Sequence, residues 1–268
     1  GGMERLIWHI ADELRADYQV HIIGPAGCSI HLPAAVSAHE IPLKPMLLFL
    51  LRTNIAAVLQ AIRLRPRLVV AGSGLTAPFA WLAARLIKAR CIVYLHGLDI
   101  EVRNPWYRML WHPFVRRFDY VLLNSHFTRK LAIQIGISPG RIIILHPGVK
   151  LPEIHKGAEM RDEFRAHHAL GDAPVMLYVG RITARKGLSY FVEHILPRVI
   201  KVLPSAELVV IGDEPHQAVL QGESEIQRIR QTLEFSGLKK HVHFLGALAH
   251  DAPEITAAYF SADCHVFP

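Results

Sequence analysis

The chain has 268 residues, 51% hydrophobic and 20% charged, a composition that excludes a disordered chain and allows one large or two ordinary domains. A formal net charge of +7 favours anionic partners such as nucleotide phosphates or an acidic membrane surface, and no nucleic-acid-reading motif accompanies it. The three cysteines Cys28, Cys91 and Cys264 lie far apart, each in or beside an apolar run, which predicts buried free thiols rather than disulfides.

The chain enters a helical pattern at once: "GGMERLIWHIADELRAD" puts Met3, Leu6, Ile7, Ile10 and Leu14 on one face. Gly1 and Gly2 precede amides that lack intrahelical partners, a start that attracts anions and lets a phosphate come close. "YQVHIIG" reads as a strand. The window "PMLLFLLRTNIAAVLQAI" is interrupted by Arg52 and Asn54 and falls short of the roughly 20 apolar residues of a spanning helix. It reads as a helix that is buried or lies on a membrane. "RLVVAG", "RCIVYLHG", "YVLLNS" and "RIIILHPGV" follow as buried strands, with helices over Ala77 to Ile87 and Thr128 to Ile135. Ser125 is the expected N-cap and Gly136 the expected stop of the second helix.

Strands spaced by helices predict an α/β fold with parallel sheet. "HPGVKLPEIHKG" is rich in turn residues and reads as a hinge, after which the pattern restarts with "VMLYVG", "AELVVIGD", "HVHFLG" and "DCHVFP". Two units are therefore expected, 1–149 and 150–268. In open α/β folds, ligands bind at the carboxyl ends of the strands. Two loops there carry chemistry. After "VMLYVG", Gly180 permits a turn, Arg181 offers a planar fork of donors and Lys186 a mobile ammonium, a set suited to a diphosphate. After "CIVYL", His96 can hydrogen-bond a sugar hydroxyl or move a proton, with Asp99 three residues on. Farther on, "NPWYRMLWHPFVRRFDY" interleaves Trp106, Tyr107, Trp111 and Phe114 with arginines; its helical spacing predicts core packing, with an interfacial role as the alternative. No HExxH, Asp-x-Asp pair or GxGxxG is present, so neither a metal site nor a dinucleotide cofactor is predicted.

The order GG-x-E-R, "HGLD", "NSHFT", "HPGV", "YVGRITARKGL", "VVIGDEP" and "VHFLGAL…YFSADCHVFP" resembles the family 4 glycosyltransferases of the GT-B fold, over essentially the whole chain. The resemblance implies two Rossmann-like domains facing across a cleft, the first on the acceptor side and the second binding the nucleotide-sugar. It implies retaining transfer of a hexosyl group from a UDP- or GDP-sugar to a glycan or lipid-linked acceptor, with no metal and no cofactor besides the co-substrate. By motif, Arg181 and Lys186 hold the donor diphosphate, Gly2 and Gly1 touch it from the other domain, and His96 stands beside the transferred sugar. Asp213 and the loop after Gly246 line the nucleotide side, and Asp99 belongs to the acceptor side. A cytoplasmic protein, peripheral on the inner face of an anionic membrane, is the expected setting.

Departures accompany the resemblance. Glu214 stands where the family has the second glycine of "GDGP", and Lys150 where it often has aspartate. The family's first strand would precede Gly1, and its Glu-x7-Glu segment would follow Pro268. Domain 1–149 is therefore expected to lack a strand, domain 150–268 to be incomplete, and these residues alone to show little turnover. A GT-B-fold sugar-nucleotide epimerase and a non-catalytic binding module are the alternatives.

Overall fold

Every strand pairing among the described residues is parallel. The computed structural model describes residues 2–149, 151–215, 224–249 and 251–268, and the chain divides into two units, Gly1–Val149 and Lys150–Pro268.

In the first unit α1 (Gly2–Leu14) leads to β1 (His21–Pro25) and β2 (Ser37–Ile41). Then come α2 (Met46–Leu64), β3 (Leu68–Ala71), α3 (Ala77–Ile87) and β4 (Arg90–Leu95). The unit continues through α4 (Leu98–Glu101), α5 (Pro105–Val115), β5 (Tyr120–Leu123), α6 (His126–Gln134) and β6 (Ile142–Ile144). Its strands form two sheets, β1-β2 and β3-β4-β5-β6. β1 and β3 are not hydrogen-bonded to each other, so each keeps an unpaired edge among the described residues.

Helix α3 shows why this unit packs closely. Ala77, Ala80, Ala83 and Ala84 are all buried on it, and side chains this small bring the helix close to Val93, Leu95 and Phe118 of the core. Caps set the helix bounds. The Asn104 side chain accepts from the amides of Trp106 and Tyr107 at the start of α5. Ser125 Oγ accepts from Thr128 N–H at 3.1 Å, and Gly136 takes the left-handed φ of 88° past the end of α6, as those residues predict.

Helix α2 has 19 residues and is, among the described helices, the one long and apolar enough to cross a membrane. Its inner face nonetheless belongs to the unit, because Phe49 and Ala56 pack with Ile41 and Ile23.

The second unit runs α7 (Gly157–His167), β7 (Val175–Val179) and α8 (Leu188–Tyr190), then a π-helical turn (Phe191–Ile195) into α9 (Leu196–Val202). β8 (Glu207–Ile211), α10 (Glu225–Phe235), β9 (Val242–Gly246), α11 (Pro253–Ser261) and β10 (Cys264–His265) complete it. The sheet order is β10-β7-β8-β9. Alternation divides its core between two faces. Met176, Tyr178, Leu208 and Val210 pack with Leu188, Leu196 and Ile229, whereas Val175, Leu177, Val209 and Ile211 pack with Phe164 and Ala258. Burial on both faces explains why "VMLYV" reads as an unbroken apolar run.

Arg165 ties the ends of this sheet together. Its buried guanidinium donates to the carbonyls of Ser261, Gly171 and Ala173 and to Asp263 Oδ2, which also accepts from Val175 N–H. Burial pushes the Asp263 carboxyl up, but the Val175 amide and the two guanidiniums of Arg161 and Arg165 outweigh it and hold it below the usual range.

The cysteines depart from expectation. Cys91 is buried beside Asp119, but Cys28 is half-buried and Cys264 exposed. The reason for the last is position: β10 is a two-residue strand at the sheet edge.

Candidate functional site

In the second unit the carboxyl edge of the sheet is a tier of three glycines. Gly180 follows β7, Gly212 follows β8, and Gly246 ends β9. Gly180 N–H donates to Ile211 O at 2.9 Å and Gly212 N–H to Gly246 O at 2.8 Å, which laces the three strand ends together. The demanding position is Gly212. Its φ is 143°, and a Cβ there would overlap Gly180 O outright, so no other residue fits. Gly180, singled out in the sequence for its freedom to turn, is less constrained. A Cβ there would meet the Tyr178 side chain at 3.6 Å, an ordinary contact. Gly246 has a φ of 74°.

The loop leaving β7 is braced on both sides. Tyr178 Oη donates to Arg181 O at 2.9 Å, and Ile182 N–H donates to Asp213 O at 3.0 Å. The Arg181 side chain is exposed, and no described carboxylate pairs with it or with Lys186. Lys186 ends a 3-10 turn (Ala184–Lys186), where Gly187, with φ 71°, lets the chain reverse. Its ammonium stands 4.6 Å over the Phe267 ring, a cation–π contact that holds the long side chain. Asp213 turns onto its own loop, Oδ1 accepting from Glu214 N–H at 2.8 Å. The structure thus brings Arg181, Asp213, Gly212 and Gly246 to one edge, with Lys186 on the same loop as Arg181.

The first unit fills its carboxyl edge with side chains. His96 follows β4. Its Nε2 lies 2.9 Å from Gly72 O, and a carbonyl can only accept, so Nε2 carries the proton and Nδ1 is left as the acceptor of the neutral ring. The His96 amide donates to Asp99 Oδ2 at 3.1 Å, and the Tyr94 ring lies 4.8 Å away. Asp99 and Tyr107 press on Gly74, where a Cβ would come within 2.8 Å of Asp99 Cβ and Tyr107 Oη. Burial, and then the Asp99 charge, push the Tyr107 phenol well up. Tyr107 stacks on Trp111 with centroids 5.4 Å apart, and Trp111 Nε1 donates to Leu75 O. That pair is half-buried, whereas Trp106 and Leu110 on the same helix are exposed, so the core packing that the helical spacing predicts is met in part by the first pair and not by the second.

Gly2 begins α1 with open space around it, and Gly1 lies outside the described residues. Ile7 of α1 sits against Gly72 at the end of β3, and Trp8 Nε1 donates to Cys28 O at 3.1 Å. The helix is thereby anchored at two strand ends of its unit. A further carboxylate works nearby: Glu40 accepts from the amides of Gly27 and Ser29, both at 2.9 Å, just past β1.

The pattern that defines Glycosyltransferase Family 4 matches residues 1–152, and that of the Glycosyl transferases group 1 matches residues 173–268. The chain belongs to glycosyltransferase family 4. Among its relatives is the GDP-mannose-dependent alpha-(1-6)-phosphatidylinositol monomannoside mannosyltransferase of Mycobacterium tuberculosis, 28% identical over 199 residues, covering 73% of this chain and 49% of that one. The enzyme of the same description from Mycolicibacterium smegmatis is 24% identical over 276 residues, covering 100% of this chain and 69% of that one. The chain therefore spans about half of the first relative's length. Among solved structures, Anabaena HepE in complex with UDP superposes with a TM-score of 0.79 at 17% identity, covering 99% of this chain and 70% of HepE. With two parallel-sheet α/β units, this likeness gives the GT-B fold.

Within family 4, Glu214 is the departure for which the structure supplies a reason. Its carboxylate accepts from Ser224 Oγ and from Ile226 N–H, both at 2.8 Å, so it caps the start of α10. Ser189 Oγ donates to the buried Glu225 from the other side. The sequence signal for Glu214 was only a mismatch with "GDGP"; its partners, ten and twelve residues on, were not readable.

Proposed function

We propose that this chain is the core of a retaining glycosyltransferase that moves a hexosyl group from a UDP- or GDP-sugar to a glycan or lipid-linked acceptor, at the inner face of an anionic membrane and without a bound metal. The observation that carries the reading is the glycine tier with Arg181 and Lys186 beside it. Of the three glycines Gly246 is the open one, with nothing within 4 Å of where a Cβ would stand, which leaves room there for a diphosphate, and the two cations supply charged hydrogen bonds on the order of 1.5–3 kcal/mol each. As the bond from the sugar to the diphosphate breaks, negative charge grows on the leaving group, and fixed cations at that position lower the barrier.

The other assignments follow. Asp213 and Gly246 line the nucleotide side, and Gly2 is assigned to the diphosphate as well. His96, its ring oriented by Gly72 O, offers Nδ1 to a hydroxyl of the transferred sugar, and Asp99 stands on the acceptor side. The mycobacterial relatives' names, with a GDP-mannose donor and a phosphatidylinositol mannoside acceptor, and the UDP bound by HepE support a nucleotide-sugar donor and a lipid-linked acceptor.

Calorimetric titration of UDP and GDP into the chain tests the diphosphate assignment. Arg181→Ala and Lys186→Ala are each expected to weaken binding about tenfold or more. Unchanged affinity in both variants would remove it.

A further inference from the structure

Helix α2 carries two apolar faces, and the fold uses one. Phe49, Thr53 and Ala56 are buried. On the side turned away from them, at helical spacing, Leu47, Leu51, Ile55, Leu59 and Ile62 form a stripe, with Leu47 82%, Leu51 55%, Ile55 51% and Leu59 60% exposed. A run of large aliphatic side chains this long is unusual on a solvated surface.

Charge identifies what covers it. From Ile41 to Leu98 the chain contains no Asp or Glu, against eight lysines and arginines. Arg52 and Arg63 fall along one border of the stripe. Arg63, Arg65 and Arg67 gather at the carboxyl end of α2, and Lys88 and Arg90 join them, because Arg90 N–H donates to Arg67 O at 3.2 Å where β3 and β4 begin. Glu40, the acid that borders this region in sequence, is already engaged by the Gly27 and Ser29 amides. An apolar helix face edged with long cationic side chains suits the boundary between acyl chains and anionic headgroups, where arginines reach up to phosphates while the aliphatic groups sink below them.

We infer that the outer face of α2 is the surface by which this protein docks on an anionic bilayer, the helix lying in the headgroup layer rather than crossing it. The inference rests on the membrane-side reading above and names the element responsible for it.

The test is co-sedimentation of the 268-residue chain with vesicles of phosphatidylcholine alone or mixed with phosphatidylglycerol. The parent is expected to pellet with the anionic vesicles only. L51E/I55E/L59E should remove binding, and R63E/R65E/R67E should weaken it on the order of a hundredfold. Leu59→Trp, a single exposed change that leaves the core alone, adds one indole to the four of the parent. The difference between the two emission spectra should shift to the blue on the anionic vesicles. Thermal unfolding of each variant confirms that it is folded. Variants that bind as the parent does, or an unshifted difference spectrum with the Leu59→Trp protein bound, would overturn the assignment to α2 while leaving the membrane reading in place. Equal binding of the parent to both vesicle types would overturn the anionic requirement. No binding to either would sink both the inference and the membrane reading, whereas the UDP and GDP titration decides glycosyl transfer independently. A dimer broken by L51E/I55E/L59E, with no vesicle binding, would make a second copy the occupant.

Discussion

The carboxyl edges of the sheets in the two units are built from opposite materials. In the second unit, the strands end on Gly180, Gly212 and Gly246, and the nearby carboxylates are turned aside. Asp213 accepts from the Glu214 amide, and Glu214 caps α10. Arg181 is left exposed on the loop after Gly180, and Lys186 is held over the Phe267 ring. In the first unit, the corresponding edge is meshed side chain: His96 on Gly72 O, Asp99 and Tyr107 on Gly74, and Glu40 on the turn after β1. The difference is one of charge and clearance. Bare backbone with exposed cations suits a large anion approaching closely, and positioned imidazole and carboxylate suit hydroxyls. Two units of one architecture thus offer two kinds of recognition, which fits the donor and acceptor division proposed above.

If the second edge depends on absent Cβ atoms, Gly212→Ala should give the largest effect. The added methyl overlaps Gly180 O, a backbone atom that cannot step aside, and a loss on the order of 4 kcal/mol or more is expected in urea denaturation. Gly180→Ala is the contrast, expected within about 1 kcal/mol of the parent. Similar losses in the two would break the claim that the tier turns on Gly212. In the first unit, Gly74→Ala presses on Asp99 and Tyr107, whose side chains can shift, so roughly 1–3 kcal/mol is expected. A neutral result would mean the mesh is loose. Glu214→Ala removes two acceptors from the start of α10 and should cost about 1–2 kcal/mol. A loss no greater than that of an exposed alanine substitution would show that the cap is idle.

The alternation of buried strands and helices was legible because a parallel sheet covered on both faces writes its strands as continuous apolar runs. "VMLYV" and "CIVYL" are such runs, and each became a central strand. β2 was not legible: "SAHEI" is short and polar, with only Ile41 buried. The "RIIILHPGV" run shrank to Ile142–Ile144 because β6 is an edge strand. At the candidate site, Arg181, Lys186, His96 and Asp99 stand out in the sequence as candidates because their chemistry is carried by residue type. The weight on Gly212 could not, because it arises from a carbonyl on a neighbouring strand that is remote in sequence. The second apolar face of α2 was hidden for a related reason: composition counts apolar residues but does not say which of them the fold covers.

The smallest effect expected separates the two edges by pH. Glu40 in the first unit is held well below its ordinary value of 4.5, at about 2, by the Gly27 amide first and then by the Ser29 hydroxyl and amide. Because the folded value is depressed, this carboxylate contributes stability that is fully present above the unfolded value. The contribution is lost as pH falls from there toward about 2. Its exposure to solvent keeps the contribution modest. Stability measured by urea denaturation across that window should therefore fall less steeply for E40Q than for the parent, with the gap between them narrowing as the acid limit is approached. The glycine tier contains no titrating group, so Gly180→Ala should leave the shape of the same profile unchanged. Parallel profiles for E40Q and the parent would show that the Glu40 contacts do not couple to folding. The first edge would then owe its order to the His96 and Asp99 cluster alone.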